Sequence, residues 1–467
     1  MEEKQQQQQL VFIPSPGVGH LVSMVELAKL LVHRYSTLSV SLLIITSPAN
    51  GNLTSRYIES LSSDLTPQIK LVNLPHLDQP SSFLSIFESQ KPRVTEAVSA
   101  SLSNPTSPRL AGFVLDMFCA SMLEVADEFS VPSYIFFTSG AAFLGFMFRI
   151  QSLHDEEGYD VTESEETELV IPSYSNPVPR KVFPSTVRKK EWVDVLYKLA
   201  RDFRKTKGIL VNTVKEVESY AIDSLSRGLN PNIYPVGPIL NLKGDTSSPS
   251  SSSGGNDVIQ WLDEQPESSV VFLCFGSMGA FGEEQVKEIA SALEKSGLRF
   301  LWSLRRRSEK EAGWVSPTDY DDVSEVLPEG FLDRTADVGK VIGWAPQTAV
   351  LAHRAVGGFV SHCGWNSTLE SIWFGVPMAT WPMYAEQQIN AFLVVKELGM
   401  GTEIKMDYRV ESGDVVKAEE IERGIRSLMD KDCGLKKKVE ELRGRIREAF
   451  ADGGSSSSSI AQFIQDL

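Results

Sequence analysis

The chain has 467 residues, of which 42% are hydrophobic and 23% charged, and its formal net charge at pH 7 is −16. This length exceeds what one ordinary core accommodates and predicts two domains. The negative charge argues against nucleic acid or an anionic membrane surface as a partner. The four cysteines include no C-x-x-C pair, which argues against a disulfide framework or a zinc site and fits a reducing compartment.

The first ten residues, MEEKQQQQQL, are acidic and glutamine-rich, unlike a signal peptide. No uninterrupted apolar run approaches the roughly 18 residues that span a bilayer. We therefore expect a soluble, cytoplasmic protein without a membrane span, and we expect it to act as a monomer.

Short apolar runs alternate with amphipathic helical patterns along the whole chain. The runs occupy residues 10–14, 40–46, 69–75, 110–116, 132–138 and 208–214, and then 268–277, 299–304, 339–346, 355–362 and 376–383. Continuous apolar strands separated by helices are typical of parallel sheets covered on both faces. A tract rich in Ser, Gly and Pro (residues 241–257) separates the two series and has the composition of a linker.

These patterns predict an α/β fold with two doubly wound, Rossmann-like domains. We assign residues 1–243 to the first domain, 244–256 to the linker, 257–451 to the second domain and 452–467 to a final helix. Ligands of such sheets bind beyond the carboxyl ends of the strands, so we expect the site in a cleft that the two domains face.

The first strand leads into the loop FIPSPGVGH, residues 12–20. Gly17 and Gly19 match part of a dinucleotide-binding loop, but Val22 stands where the third glycine belongs, and no acid ends the second strand. This argues against an NAD-linked oxidoreductase. His20 then has two interpretations: the turn aims its imidazole at a substrate, or it makes a loop contact without chemistry.

The densest chemistry lies in residues 344–387. The segment AVGGFVSHCGWNSTLESI predicts a strand, a glycine-rich turn and a helix beginning near Asn366. His362, Asn366 and Ser367 would surround the helix N-terminus, which favours an anion, and Glu370 one turn later could accept both hydroxyls of a ribose. Taken singly, these residues could be an ordinary helix cap or a core histidine.

Metal binding has little support in the sequence. Cys363 beside His362 lacks a second thiol. A D-x-D triplet occurs at Asp319, Tyr320 and Asp321, but it lies in the polar loop SPTDYDDVSE, and we interpret it as a solvated turn.

The segment from Trp344 to Gln387 closely resembles the signature box of plant family-1 UDP-glycosyltransferases, which have the glycosyltransferase B fold. The resemblance extends over nearly the whole chain, including FIPSPGVGH and CFGS (274–277). It implies that the first domain binds an acceptor and the second a UDP-sugar, and that the final helix packs back on the first domain. The helix has apolar residues on one face at Ile460, Phe463, Ile464 and Leu467.

The resemblance also implies roles for residues of the second domain. Trp344 would stack on uracil, and Ala345 and Gln347 would contact base and ribose. Glu370 would bind the ribose hydroxyls. The diphosphate would be held by His362, Asn366, Ser367 and Ser277. The sugar hydroxyls would be held by Trp365, Glu386 and Gln387.

In the first domain, the resemblance makes His20 the general base for an acceptor hydroxyl and Asp116 its partner. Asp116 ends an otherwise apolar strand, where an unpaired carboxylate would be costly. Its alternative role is helix capping. Attack by the activated hydroxyl would invert the anomeric centre and give a β-glycoside, with no metal or other cofactor beyond the UDP-sugar co-substrate.

Gln387 and Trp365 favour UDP-glucose, because relatives have His at the first position for galactose and Arg at the second for glucuronate. We expect a small lipophilic acceptor, such as a flavonoid, chalcone or stilbene. The candidate acceptor residues are Gly19, Phe118, Phe137, Phe143 and Tyr384. A sugar-nucleotide epimerase of the same fold and a non-catalytic binding module remain as alternatives.

Overall fold

The structure is a computed structural model that describes residues 7–45, 51–61, 65–74, 84–103, 106–228, 230–242, 254–307 and 316–467. The chain folds into two compact units. The first unit comprises residues 1–159, 191–241 and 449–467, and the second comprises residues 160–190 and 242–448. Within the described ranges, no helix combines the length and the apolar character needed to cross a membrane.

Strands and helices alternate along most of the chain. The strands are β1 Gln8–Ile13, β2 Leu38–Ile45, β3 Ile69–Leu74, β4 Arg109–Asp116, β5 Ser133–Phe137, β6 Glu168–Leu169, β7 Val178–Pro179, β8 Gly208–Val211, β9 Asn232–Pro235, β10 Val270–Cys274, β11 Arg299–Ser303, β12 Gly339–Ile342, β13 Val356–Ser361, β14 Met378–Thr380 and β15 Gly401–Glu403. The helices are α1 Val18–Arg34, α2 Gly51–Leu61, α3 Ser85–Glu88, α4 Lys91–Leu102, α5 Leu123–Glu128, α6 Ala141–Glu157, α7 Lys190–Phe203, α8 Lys215–Leu225, α9 Gly254–Asp263, α10 Glu283–Ser296, α11 Phe331–Thr335, α12 Gln347–Leu351, α13 Trp365–Phe374, α14 Gln387–Phe392, α15 Ala418–Met429, α16 Leu435–Phe450 and α17 Ser455–Gln465.

The first unit is built on a seven-stranded parallel sheet with the order β3-β2-β1-β4-β5-β8-β9. The chain therefore starts in the middle of the sheet and winds first to one edge and then to the other, as in a doubly wound fold. The central strands are almost wholly buried, because helices cover both of their faces. Helix α1 contributes the apolar stripe Leu21, Met24, Val25, Ala28 and Leu31 to the core.

The second unit repeats this architecture with a six-stranded parallel sheet of order β12-β11-β10-β13-β14-β15. Helix α10 buries Val286, Ile289, Ala290 and Leu293 against it. A two-stranded antiparallel ribbon, β6-β7, also belongs to this unit. The fold is thus α/β with two Rossmann-like sheets, as the sequence predicts.

Helix α17 completes the core of the first unit. Ile460 and Phe463 are fully buried in that core, and Ile464 and Leu467 pack against it. The ring of Phe463 meets Tyr134 edge-on, with centroids 4.9 Å apart. All four apolar positions on the predicted helical face therefore serve this contact.

The domain boundaries drawn from sequence differ from the units by two or three residues at positions 242–243 and 449–451, and by one longer segment. Residues 160–190, which the sequence analysis places in the first domain, belong to the second unit. Arg409 is buried there and donates hydrogen bonds from Nη2 to the carbonyls of Lys181 (3.0 Å) and Phe183 (2.6 Å). Most of the predicted linker, residues 244–253, lies outside the described residues.

Candidate active site

In the first unit, three polar side chains follow the carboxyl ends of adjacent strands. Ser15 comes after β1, Asp116 ends β4, and Thr138 follows β5. The strands are parallel neighbours, with Ile13 opposite Leu115 and Asp116 opposite Phe136. Their carboxyl ends therefore bring these side chains to one place at the edge of the sheet.

His20 lies at the same place because of the turn before it. It is the third residue of α1, whose N-cap Gly17 has a φ of 145°, a conformation that side chains with a Cβ rarely adopt. The His20 Nδ1 atom lies 2.8 Å from Oδ2 of Asp116. Asp116 is fully buried, whereas the His20 side chain is 29% exposed. The Asp116 carboxylate thus holds the imidazole at Nδ1, and part of the His20 side chain remains exposed.

The contacts around Nδ1 also determine which nitrogen carries the proton. Besides Asp116, Nδ1 faces Oγ1 of Thr138 at 3.2 Å, and that hydroxyl donates to Sδ of Met117 at 3.7 Å. Both groups facing Nδ1 are therefore acceptors, which places the proton on Nδ1 and leaves Nε2 with a lone pair. This is the tautomer that a general base requires.

Asp116 is itself held by hydrogen bonds. Its Oδ1 accepts from Oγ of Ser15 at 2.5 Å and from the backbone N–H of Phe118 at 3.1 Å. The second bond makes Asp116 the N-cap of the following 3₁₀ helix, Met117–Met122. Asp116 thus contacts His20 through one carboxylate oxygen and caps the 3₁₀ helix through the other.

A buried carboxylate from another helix caps the start of α6, just after Thr138. Glu218 of α8 accepts hydrogen bonds from the backbone N–H groups of Ala141 and Ala142, each at 2.8 Å. These N–H groups open α6, three residues after Thr138, and would otherwise have no intrahelical partner. Burial raises the pKa of Glu218. The sequence analysis missed both Ser15 and Thr138, although their positions after apolar strands were a usable signal.

In the second unit, helix α13 presents an uncapped N-terminus. Its N-cap is Gly364, which has no side chain to cap the first turn. The helix starts at Trp365, so Asn366 and Ser367 both lie in that first turn. Backbone N–H groups and the helix dipole together favour an anion at this end.

His362 lies beside this helix end between two glycines. A Cβ added to Gly276 or to Gly364 would come within 2.6 Å of the His362 Nε2 atom, so each position needs glycine. The imidazole is buried, and this burial lowers its pKa to about 4. At neutral pH it is therefore a hydrogen-bonding group and not a cation. Ser277 follows Gly276 and is half-buried.

A second cluster joins helices α12 and α13. The Gln347 Nε2 atom donates to Oγ of Ser367 at 2.8 Å and to Oε2 of Glu370 at 2.7 Å. Burial raises the pKa of Glu370 to about 7, and the bond from Gln347 opposes this shift. Trp344 and Ala345 lie between β12 and α12, and Gln347 begins α12. These three predicted base and ribose residues therefore follow one another closely along the chain.

The residues predicted to hold the sugar lie where α14 begins. Oε1 of Gln387 accepts from the backbone N–H groups of Met383 (2.9 Å) and Tyr384 (3.0 Å), so this oxygen is already occupied by the loop. Glu386 is the N-cap of α14, and Ala385 before it has a positive φ of 55°. Trp365 is buried at the start of α13. The side chain of Gln387 therefore supports this turn in addition to any contact with a ligand.

The predicted acceptor residues have different surroundings. Phe118 is half-buried, and its ring centroid lies 5.4 Å from that of His20. Gly19 is exposed, and a Cβ there would have nothing within 4 Å. Phe137 and Phe143 are buried and pack against each other, and their role in the acceptor site stays a prediction. Tyr384 belongs to the second unit.

Comparisons with known proteins agree with this arrangement. The model of the family "UDP-glucoronosyl and UDP-glucosyl transferase" matches residues 189–424. The chain is 52% identical to "UDP-glucose flavonoid 3-O-glucosyltransferase 6" of Fragaria ananassa, with 98% of each chain covered. A crystal structure of a UGT transferase from Siraitia grosvenorii in complex with UDP has a TM-score of 0.89 and 46% identity, covering 98% of this chain and 99% of that one. A Medicago truncatula protein complexed with UDP-glucose has a TM-score of 0.88 and 44% identity, covering 98% of both.

The two parallel α/β sheets, together with the likeness to these solved structures, define a glycosyltransferase of the B fold. The chain belongs to the UDP-glycosyltransferase family and is a hexosyltransferase. This membership replaces the epimerase and the non-catalytic binding module that the sequence alone left open.

Proposed function

We propose that the protein transfers glucose from UDP-glucose to a hydroxyl group of a small, flat phenolic acceptor and forms a β-O-glucoside. The observation that carries this proposal is the His20–Asp116 contact of 2.8 Å, because a module that only binds ligands has no use for an oriented base. The name of the Fragaria relative, which specifies UDP-glucose and a flavonoid, supports the choice of donor and acceptor class.

His20 is the general base in this proposal. Nε2 takes the proton of the acceptor hydroxyl as its oxygen attacks, and the ring becomes an imidazolium. The buried carboxylate of Asp116 stabilises that cation and keeps the ring oriented. Phe118 offers an aromatic edge beside the base, which suits a flat acceptor.

The second unit binds the donor and receives the leaving group. Trp344 stacks on the uracil base, and Ala345 contacts it. Gln347 and Glu370, already linked by a hydrogen bond, bind the ribose. Negative charge that develops on the departing diphosphate is stabilised by preorganised donors. These are the first-turn N–H groups of α13 and the side chains of His362, Asn366, Ser367 and Ser277.

The reaction inverts the anomeric carbon. The donor carries an α-linked glucose, the acceptor oxygen forms its bond to the anomeric carbon from the opposite face, and the bond to the diphosphate oxygen breaks. The electron pair leaves with UDP, and the acceptor proton remains on His20. Gln387, Glu386 and Trp365 hold the glucose hydroxyls and favour glucose over galactose and glucuronate.

We also propose that turnover needs neither a metal ion nor a second copy of the chain. The groups that receive the leaving diphosphate are backbone and side-chain donors of one chain, so charge stabilisation does not depend on a cation. We expect equal transfer rates with EDTA and with added Mg²⁺ or Mn²⁺. In size-exclusion chromatography at assay concentration, we expect the protein to elute at the monomer volume. Loss of activity in EDTA that Mn²⁺ restores would contradict the first statement.

The function is tested by incubating the protein with UDP-glucose and a panel of flavonoids, stilbenes and simple phenols. A product heavier than its acceptor by one hexosyl unit is expected, with the β configuration in its proton NMR spectrum. The matched control is His20→Ala, which should still bind UDP but form little product. Hydrolysis of UDP-glucose without transfer to any phenol, or an α-glucoside as product, would overturn the proposal.

A further inference from the structure

Arg305 lies against the aromatic ring predicted to receive the base. It follows β11, and Trp344 follows the neighbouring parallel strand β12. Pairing continues past the strand ends, since Leu304 N–H donates to the Ile342 carbonyl at 2.8 Å. The guanidinium carbon of Arg305 lies 5.0 Å from the centroid of the Trp344 ring. This is a cation–π distance.

The position of Arg305 is fixed by several bonds. Nε lies 2.8 Å from Oδ1 of Asp319, and Nη2 donates to the Pro317 carbonyl at 2.5 Å. The Arg305 side chain is only 11% exposed, so both interactions are partly shielded from water. Gly343 makes room for the carboxylate, because a Cβ there would lie 2.5 Å from Cγ of Asp319.

This contact adds an ion pair to the exposed turn predicted at the D-x-D triplet. Asp319 is half-exposed but ion-paired, and Asp321 does not share that pair. Within the described part of the chain, no group of three or more His, Cys, Asp or Glu side chains is arranged to hold a metal ion. Asp319, the first aspartate of the triplet, thus forms an ion pair with Arg305.

Trp344 needs such a support. Its ring is half-buried, and its Nε1–H is buried without a hydrogen-bond partner among the described residues. No polar anchor therefore fixes the rotation of the indole. A planar guanidinium held by a carboxylate provides one, since arginine stacks well on aromatic faces.

We propose that Arg305, held by Asp319, is a positioning residue for nucleobase recognition: it fixes the Trp344 indole in the orientation that stacks on uracil. This inference rests on the proposed function, in which Trp344 binds the base. It concerns donor affinity and not the transfer step, because neither residue reaches the reacting atoms in this scheme.

The test compares Arg305→Gln and Asp319→Asn with the matched control Arg306→Gln. Arg306 is the adjacent arginine; it is exposed and lies over the ring of Tyr320 at 5.8 Å. The dissociation constant of UDP, from calorimetry, should rise about five- to thirtyfold for Arg305→Gln, the expected loss of one shielded cation–π contact. It should rise less for Asp319→Asn and not at all for the control. The KM for UDP-glucose should follow, with kcat unchanged.

Two further measurements separate positioning from a general structural effect. Inhibition by inorganic pyrophosphate, which has no base, should be unchanged in Arg305→Gln. In a Trp344→Ala background, Arg305→Gln should cause little further loss of UDP affinity, because the ring it positions is absent.

Two more variants support the test. Arg305→Lys keeps the charge and should retain part of the UDP affinity. Asp319→Asn, at a half-exposed position, provides the answer if Arg305→Gln does not fold.

The outcomes distinguish this inference from the proposed function. If Trp344→Ala weakens UDP binding but Arg305→Gln and Asp319→Asn do not, the inference is wrong and the base site stands. If Trp344→Ala itself leaves UDP affinity unchanged, the base site of the proposed function fails and the inference fails with it. Equal loss of UDP and pyrophosphate binding in Arg305→Gln, or a parallel fall in kcat, would also overturn the inference.

Discussion

Glu370 makes donor binding depend on pH. Its carboxyl is half-buried, its pKa is raised to about 7 by burial, and Oε2 accepts a hydrogen bond from Gln347. Ribose hydroxyls donate to a carboxylate more strongly than to a carboxylic acid. We therefore expect the affinity for UDP-glucose to increase as the pH rises through 7, and Glu370→Gln to remove this dependence.

The size of the effect follows from the pKa. With a pKa of about 7, the ionised fraction of Glu370 increases from about a tenth to about nine tenths between about pH 6 and pH 8. If the ribose binds only the ionised form, the dissociation constant falls about ninefold over this range. His362 does not contribute, because its pKa of about 4 leaves it neutral throughout. UDP-glucose is the right titrant, since free UDP has a terminal phosphate that itself titrates near neutrality.

The same shift has an effect on stability. The folded pKa of Glu370 is above the unfolded value, so the unfolded state binds fewer protons between about pH 4.5 and pH 7, and stability falls as the pH rises through that window. Above pH 7, the raised pKa of Glu370 lowers the free energy of unfolding by at most about 3 kcal/mol. Glu370→Gln keeps the shape and can still accept from Gln347, so at about pH 8 it should unfold a few degrees above the wild type.

Calorimetric titration of UDP-glucose at several pH values and thermal unfolding at the same values measure both effects. Glu422→Gln, which removes a carboxylate from a surface pair with Arg426, is the matched control and should follow the wild type. A pH-independent wild-type affinity, or a Glu370→Gln protein with the wild-type pH profile, would refute the reasoning. So would a Glu370→Gln protein less stable than the wild type at about pH 8.

Three further predictions concern other parts of the molecule. His20→Ala should lower the rate of transfer about 10²–10⁴-fold with UDP binding retained. Asp116→Asn should lower the rate less with a phenol than with an aliphatic alcohol, because a phenol of pKa about 10 ionises more readily. Near-normal glucosylation of an alcohol by His20→Ala would contradict the role of His20. Gln387→His should shift the ratio of rates from UDP-glucose toward UDP-galactose about fivefold or more, and an unchanged donor ratio would refute this. The same substitution should lower the Tm, since Oε1 of Gln387 accepts from two backbone N–H groups. Ile460→Ala should reduce the free energy of unfolding by about 2–5 kcal/mol, as measured by denaturant titration. Gln465→Ala is the surface control, and a loss in Ile460→Ala no larger than in this control would contradict the packing of α17.

The sequence predicts the sheets well where strands are long and apolar. All five central strands of the first sheet, and β10 to β14 of the second, fall on runs identified from sequence. The strands it misses are short: β6 and β7 of the two-stranded ribbon, and β9 (NIYP) and β15 (GTE) of the two large sheets. Strands β9 and β15 lie at sheet edges, where one side has no neighbour, so burial imposes a weaker apolar pattern.

Site residues were predictable to the extent that their chemistry is local. His362 and Ser367 lie within one strand–turn–helix segment, and the helix end alone indicates an anion. Segment 160–190 falls in the second unit, and no hydrophobic periodicity records polar contacts such as those between its backbone and Arg409. Phe137 and Phe143 illustrate a different case: both rings are buried, and aromatic composition alone does not tell whether such a ring also meets a ligand.

The division of the chain between its units has a consequence for building chimaeras. The chain passes from one unit to the other at residues 159/160, 190/191, 241/242 and 448/449. Exchange of halves with a relative at the serine-rich tract would therefore join the 160–190 segment and β9 of one parent to the Arg409 and α17 of the other. A recombinant that takes residues 160–190 together with 242–448 keeps each set of contacts within one parent.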